Sequence, residues 1–120
     1  MTSSAGLERV AQSRPNPYVQ PMTAADVIST LLAKRAHFES QGVVHMSIFG
    51  SVARGDNTPE SDVDIAVQLD RTRKLGLLEL ARIRTQLVEL LGCEVDLVSE
   101  PSTRKPRLQA EIDRHRVAAF

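Results

Sequence analysis

The chain has 120 residues, with fifteen basic and fifteen acidic side chains, a net charge of zero and one cysteine. This length fits one small domain, and a neutral chain has no global field that would hold it on nucleic acid or on an anionic membrane. A single cysteine excludes an internal disulfide, and no segment is apolar enough for a signal peptide or a membrane span, so we expect a soluble cytoplasmic protein.

The predicted elements begin after the N-terminal segment. Residues 1–21 contain three prolines and few apolar side chains, so they are predicted to form a flexible arm, and residues 22–120 a single folded domain. The apolar periodicity predicts helices over residues 23–40, 75–91 and 108 to about 118, and strands over residues 43–49, 62–69 and 93–98. This order predicts an α+β (mixed α/β) fold, with a small central sheet and flanking helices.

A Gly-Ser turn follows the first predicted strand, in the sequence Phe-Gly-Ser-Val-Ala-Arg-Gly over residues 49–55. Gly50 allows a sharp turn and lets a ligand approach the backbone closely. Ser51 is expected to cap a short helix whose free N–H groups favour a phosphate, and Gly55 to end that helix with a positive φ. Taken alone, a Gly-Ser pair is weak evidence for a phosphate site, and an ordinary turn is the default interpretation.

Three carboxylates are the candidate metal ligands. Asp62 and Asp64 are two residues apart on the second strand, so both point to one face of the sheet, and Asp96 joins them if the third strand lies beside the second. Carboxylates so close together repel each other, and Mg²⁺ relieves that repulsion. An isolated Asp-x-Asp is more often a solvent-facing strand, but three acids facing a Gly-Ser turn favour a two-metal site for phosphoryl transfer.

Two further residues remain open at this stage. Arg54 could neutralise a phosphate, or it could pair with Asp56 or Glu60 and stiffen the loop. His37 lies alone on the first predicted helix, which favours a structural or exposed position over a ligand role.

The Gly-Ser turn and the Ser-Asp-Val-Asp-Ile-Ala-Val segment over residues 61–67 together resemble the signature of the DNA polymerase beta-like nucleotidyltransferase superfamily. The Gly-Ser-x-Ala-Arg-Gly form and the small size resemble its minimal nucleotidyltransferases, the MNT proteins. The resemblance implies the nucleotidyltransferase fold. It also implies that Gly50 and Ser51 hold the nucleotide phosphates, that Asp62 and Asp64 bind Mg²⁺, and that Asp96 completes a two-ion metal site and helps to deprotonate the attacking hydroxyl.

The same resemblance implies transfer of a nucleoside monophosphate, AMP from ATP, to a hydroxyl, with release of pyrophosphate. Larger members add domains for their acceptors, and one Tyr, three Phe and no Trp argue against stacking on nucleic acid. Minimal members commonly act as antitoxins beside a HEPN ribonuclease toxin, which they bind and can modify with AMP. A binding module that neutralises its partner by occlusion and a small-molecule nucleotidyltransferase that works as an oligomer remain alternatives.

Overall fold

The computed structural model describes residues 22–101 and 105–120. In chain order the elements are α1 (Ala24–Ala33), α2 (Arg35–Ser40), β1 (Val43–Phe49), α3 (Gly50–Arg54), β2 (Val63–Leu69), α4 (Leu77–Leu91), β3 (Val95–Glu100), α5 (Pro106–His115) and β4 (Val117–Ala118). The predicted α+β fold with a small sheet and flanking helices is confirmed. The predicted arm over residues 1–21 lies outside the described residues and stays a prediction.

The four strands form one sheet in the order β3-β2-β1-β4. The strand pairs β1/β2 and β1/β4 are antiparallel, whereas β2 and β3 are parallel. A parallel pair needs a long crossover connection, and α4 provides it between β2 and β3. This crossover brings the start of β3 to the same end of the sheet as the start of β2.

The two ends of the described chain differ from the prediction. The helix expected over residues 23–40 is broken at Lys34, which leaves helical geometry with φ −111° and ψ 14°, and the redirected α2 then buries Phe38. The last helix ends at His115 instead of continuing to about residue 118. Arg116 adopts an extended backbone, and Val117 and Ala118 pair with β1 as a short strand that the periodicity did not predict.

The other boundaries shift by one to two residues. The strand β2 begins one residue later than predicted, and β3 is displaced by two residues along the chain. Gly76 precedes α4, and its N–H donates to the carboxylate of Glu79, so the helix begins there and not at residue 75. Pro106 begins α5, as its fixed φ and missing N–H favour at the first helical position.

Two apolar cores lie on opposite faces of the sheet. The larger one joins α1, α2 and α4 to the sheet through a buried set that includes Val27, Leu31, Phe38, Met46, Ile48, Ile65, Ile83 and Leu87. The smaller one joins α5 to the other face through Phe49, Ala66 and Ile112. Ala66 and Asp64 are two residues apart on β2 and share one face of the sheet, so α5 packs beside the carboxylates on their own face. Within the described residues, no helix is long and apolar enough to cross a bilayer.

Candidate active site

The strand register brings two of the three predicted carboxylates side by side. Asp64 on β2 and Asp96 on β3 are partners in the parallel pair. Asp62 comes immediately before β2, two residues before Asp64. Asp64 is partly buried, whereas Asp62 and Asp96 are exposed. The third predicted strand therefore does lie beside the second, which was the condition for Asp96 to join the carboxylate face. Asp64 and Asp96 lie near the starts of these adjacent strands.

The electrostatics of Asp64 reflect this crowding. Burial, with smaller contributions from the charges of Asp96 and Asp62, raises the pKa of the Asp64 carboxyl from 3.8 to about 6, while Arg54 acts in the opposite direction. Both effects disfavour the charged carboxylate, because burial removes water and the neighbouring acids repel it. A bound cation would offset both effects.

Gly50 lies against the carboxylate of Asp64. The end of β1 pairs with β2 so that Phe49 is opposite Asp64, and Gly50 then turns with φ +71°. A Cβ at this position would lie 2.1 Å from Asp64 Oδ2 and 2.9 Å from its Cγ. The glycine is therefore required by a close contact as well as by its backbone conformation, a role that the sequence did not reveal.

Ser51 occupies a different position from the predicted one. The helix α3 already begins at Gly50 and its N-cap is Phe49, which has no capping side chain, so the expectation that Ser51 caps this helix is wrong. Ser51 lies inside the first turn, directly after Gly50. Its carbonyl accepts from the N–H groups of Gly55 and Asp56, and Gly55 ends the helix with the predicted positive φ, +81°.

Arg54 joins the Gly-Ser turn to the last helix. Its Nε donates to Asp56 Oδ2 at 3.1 Å and its Nη1 donates to Glu111 Oε1 at 3.3 Å. Of the roles that the sequence left open for Arg54, the structure shows the pairing with Asp56. The contact with Glu111 had no signal in the sequence, because 57 residues separate the two side chains. Glu111 Oε1 also lies 3.8 Å from His115 Nε2, one helical turn further along α5.

The remaining histidine prediction is also confirmed. His37 is exposed, and its Nε2 lies 3.2 Å from Gln86 Oε1, so it is part of the contact between α2 and α4. It lies on the helices that cover the larger core, away from the carboxylate face.

The carboxylates of this site are the candidate donors to a metal ion. In the described part of the chain, no group of three or more His, Cys, Asp or Glu side chains is arranged to hold a metal ion by itself. Mg²⁺ typically takes one or two protein carboxylates and completes its shell with substrate phosphates and water. Adjacent carboxylates at the start of two strands, one with a raised pKa, fit such a hard cation when it arrives together with a phosphate ligand.

The sequence profile of the nucleotidyltransferase domain family matches residues 30–119, a range that contains the Gly-Ser turn, all three aspartates and Arg54. The chain belongs to this family. The family expected from the motif is thus confirmed, and the sheet with its flanking helices is the fold expected for it.

Two similar proteins place this nucleotidyltransferase more closely. Protein adenylyltransferase MntA of Thermococcus cleftensis is 33% identical over 84 residues, which are 69% of this chain and 83% of that protein. The solved structure of a candidate minimal nucleotidyltransferase is 34% identical, with a TM-score of 0.66, over 80% of this chain and 95% of that chain. The resemblance to minimal nucleotidyltransferases is thereby confirmed.

The third similarity concerns the fold alone. A solved complex of a tri-AMPylated HEPN toxin with an MNT antitoxin from Shewanella oneidensis contains a chain with a TM-score of 0.54 to this one. The two chains are 19% identical, and the match covers 78% of this chain and 71% of that chain. This nucleotidyltransferase therefore shares its architecture with a chain from a toxin–antitoxin assembly.

Proposed function

We propose that this nucleotidyltransferase is a Mg²⁺-dependent protein adenylyltransferase, which transfers AMP from ATP to a hydroxyl on a HEPN-type toxin and thereby acts as its antitoxin. The observation that carries the proposal is the in-register pair of Asp64 and Asp96 beside the turn at Gly50. The adenylyltransferase name of the similar MntA protein supports the reaction class. The AMP-modified toxin in the complex from S. oneidensis supports the kind of acceptor.

The residues around the Gly-Ser turn would bind the nucleotide. Gly50 and Ser51 begin α3, where the backbone can approach a phosphate closely, and Arg54 adds a positive charge at the end of the same helix. The short helix is held by the hydrogen bonds from Gly55 and Asp56 to the Ser51 carbonyl. The triphosphate would therefore meet a preformed turn and would not have to order a loose loop.

The carboxylates would bind the metal and take up the proton. Asp62 and Asp64 would hold Mg²⁺ together with the phosphates, and Asp96 would complete a site for two ions. When bound, Mg²⁺ neutralises phosphate charge and favours deprotonation of the acceptor hydroxyl. The acceptor oxygen bonds to the α-phosphorus, the bond from that phosphorus to the bridging oxygen of the β-phosphate breaks, and pyrophosphate leaves. Asp96 would accept the proton of the hydroxyl.

The acceptor is proposed to come from outside the chain. The sheet face that carries the aspartates is covered on one side by α5 and the smaller core, which leaves the exposed Asp62 and Asp96 open to a second molecule. A protein hydroxyl fits this open arrangement. Because ATP is the donor and Cys93 is a free thiol, we propose the cytoplasm as the compartment.

A transfer assay tests the proposal. The purified protein is incubated with α-labelled ATP, Mg²⁺ and a HEPN toxin from the same host, beside the variants Asp64→Asn and Asp70→Asn. Asp70 provides a matched control, because it is the same residue type directly after β2, bound to Thr72 and at the opposite end of the strand from the site. Label is expected on the toxin with the wild type and with Asp70→Asn, and not with Asp64→Asn.

The same assay separates the alternatives. Neutralisation of the toxin that persists in Asp64→Asn, without any label, would replace the proposal with an antitoxin that acts by occlusion. Label on a small acceptor in the absence of any partner protein would replace it with a small-molecule nucleotidyltransferase.

A further inference from the structure

Arg54 is held by two carboxylates that come from different parts of the fold. Asp56 binds its Nε from the loop after α3, and Glu111 binds its Nη1 from α5. The side chain of Arg54 is 36% exposed and that of Glu111 39% exposed, so this contact lies at the edge of the site and remains reachable by a ligand. The guanidinium therefore has a defined position before any nucleotide arrives.

The helix that carries Glu111 is firmly attached to the sheet. Its neighbour Ile112 is fully buried in the smaller core. Gln109 donates to the buried carboxylate of Glu100 at the end of β3 at 2.6 Å, and Arg116, just after the helix, pairs with the same carboxylate. Glu111 thus extends from a helix whose backbone is fixed to the sheet.

The contacts of Arg54 leave part of its guanidinium available. An arginine carries five N–H groups, and the two contacts use two of them. Among residues 22–101 and 105–120, the other three have no protein hydrogen-bond partner. The positive charge of Arg54 also counteracts a small part of the rise in the pKa of Asp64, so the guanidinium acts electrostatically on the carboxylate face. A planar guanidinium that is held on two sides and free on the third suits a phosphate oxygen pair.

We propose that Glu111 is a positioning residue for the nucleotide: together with Asp56 it holds Arg54 so that the free N–H groups of the guanidinium bind the triphosphate of ATP. This inference rests on the proposed function for its substrate. It assigns Arg54 both roles that the sequence left open, since the pairing that stiffens the loop also prepares the phosphate contact. Preorganisation of this kind lowers the entropy cost of binding, so its loss weakens binding more than it slows the chemical step.

The test compares Glu111→Gln with Arg114→Gln. Arg114 pairs with the same Glu111 at 3.4 Å but has no contact with Arg54, so it controls for the surface charges of α5. We expect Glu111→Gln to raise the KM for ATP about fivefold to tenfold with kcat within about twofold. The control is expected to leave both constants unchanged. The Kd of a fluorescent, non-hydrolysable ATP analogue, measured with Mg²⁺, should follow the KM.

A double-mutant cycle tests the connection through Arg54. If Glu111 acts through Arg54, then Arg54→Gln with Glu111→Gln binds the analogue no more weakly than Arg54→Gln alone. Effects that simply add, or equal Kd values for Glu111→Gln and Arg114→Gln, would overturn the inference. Thermal unfolding of each variant excludes a loss of fold as the cause.

The Kd measurement with the ATP analogue keeps this inference separate from the proposed function. A wild-type chain that binds the analogue but labels no acceptor contradicts AMP transfer, and the Kd values of the variants still decide the role of Glu111. A wild-type chain that binds no ATP analogue overturns both.

Discussion

Replacement of Gly50 by alanine tests the close contact between the Gly-Ser turn and Asp64. A side chain at φ +71° costs about 1 kcal/mol by itself. The new Cβ would also lie 2.1 Å from Asp64 Oδ2, whereas ordinary contact begins near 3.4 Å, so the carboxylate must move by roughly 1 Å. A displacement of that size at a reacting group costs about 100-fold in rate. We expect kcat for AMP transfer to fall about 100-fold and the free energy of unfolding to fall by about 2–4 kcal/mol.

Gly55 provides the matched control. Gly55→Ala introduces the same side chain at φ +81°, yet, apart from its chain neighbours, no heavy atom of residues 22–101 and 105–120 lies within 4 Å of the added Cβ. The free energy of unfolding of Gly55→Ala should therefore fall only by the cost of the backbone conformation, about 1 kcal/mol, and the variant should keep most of its activity. Urea denaturation gives the free energies of unfolding, and initial rates with labelled ATP and a toxin acceptor give kcat for each variant that is shown to be folded.

The comparison of the two glycines can refute the reasoning. If Gly50→Ala loses no more activity than Gly55→Ala, the position of the Asp64 carboxylate is not critical for transfer. If the two variants lose equal stability, the Asp64 side chain accommodates the new methyl group at little cost, and the contact does not explain the glycine.

Three further changes test the electrostatics and the support of the site. Asp64→Asn should raise the free energy of unfolding at pH 7.5 by about 1 kcal/mol. The rise in the pKa of Asp64 from 3.8 to about 6 corresponds to a destabilisation of up to about 3 kcal/mol. Solvent screening of this partly exposed group reduces that value to about 1 kcal/mol. The folded state binds this proton more tightly, so the gain should shrink as the pH falls through 6 and vanish below about 4; urea titrations that show a constant gain would contradict it. Glu100→Gln removes a carboxylate that is 4% exposed and paired with Arg116, and should lower the free energy of unfolding by about 2–3 kcal/mol in urea, with a loss under 1 kcal/mol counting against the buried pair. Ile112→Ala should cost about 3 kcal/mol, while Leu77→Ala, at an 84% exposed leucine, changes stability by less than about 0.5 kcal/mol; equal losses in urea would show that α5 is not held by its buried core.

Local patterns predicted the kind of each main element. The helical spacing of the leucines and of Ile83 predicted α4, which ends at Gly92 with a positive φ of 72°. The alternation of Asp and apolar residues predicted which face of β2 is buried. These features depend on neighbours within a few residues, which are visible in the chain itself.

The break at Lys34 and the strand β4 were missed because distant residues decide the conformation there. The break at Lys34 turns α2 so that Phe38 reaches the larger core. No Gly or Pro near Lys34 indicates this break in the sequence. The short strand β4 exists because the edge of β1 is free to pair with Val117 and Ala118. A helix or a strand at such a place depends on which hydrogen-bond partners are available in three dimensions.

The sequence by itself determined the family, the Gly-Ser turn and the shared face of Asp62 and Asp64, because each depends on residue types at short, fixed spacings. Only the tertiary structure decided that Asp96 stands beside Asp64, that Gly50 leaves room for its carboxylate, and that Glu111 holds Arg54. The physical reason is that these contacts depend on the parallel pairing of β2 with β3 and on the packing of α5 against the sheet. Both arise from burial of apolar surface shared by segments far apart in the chain.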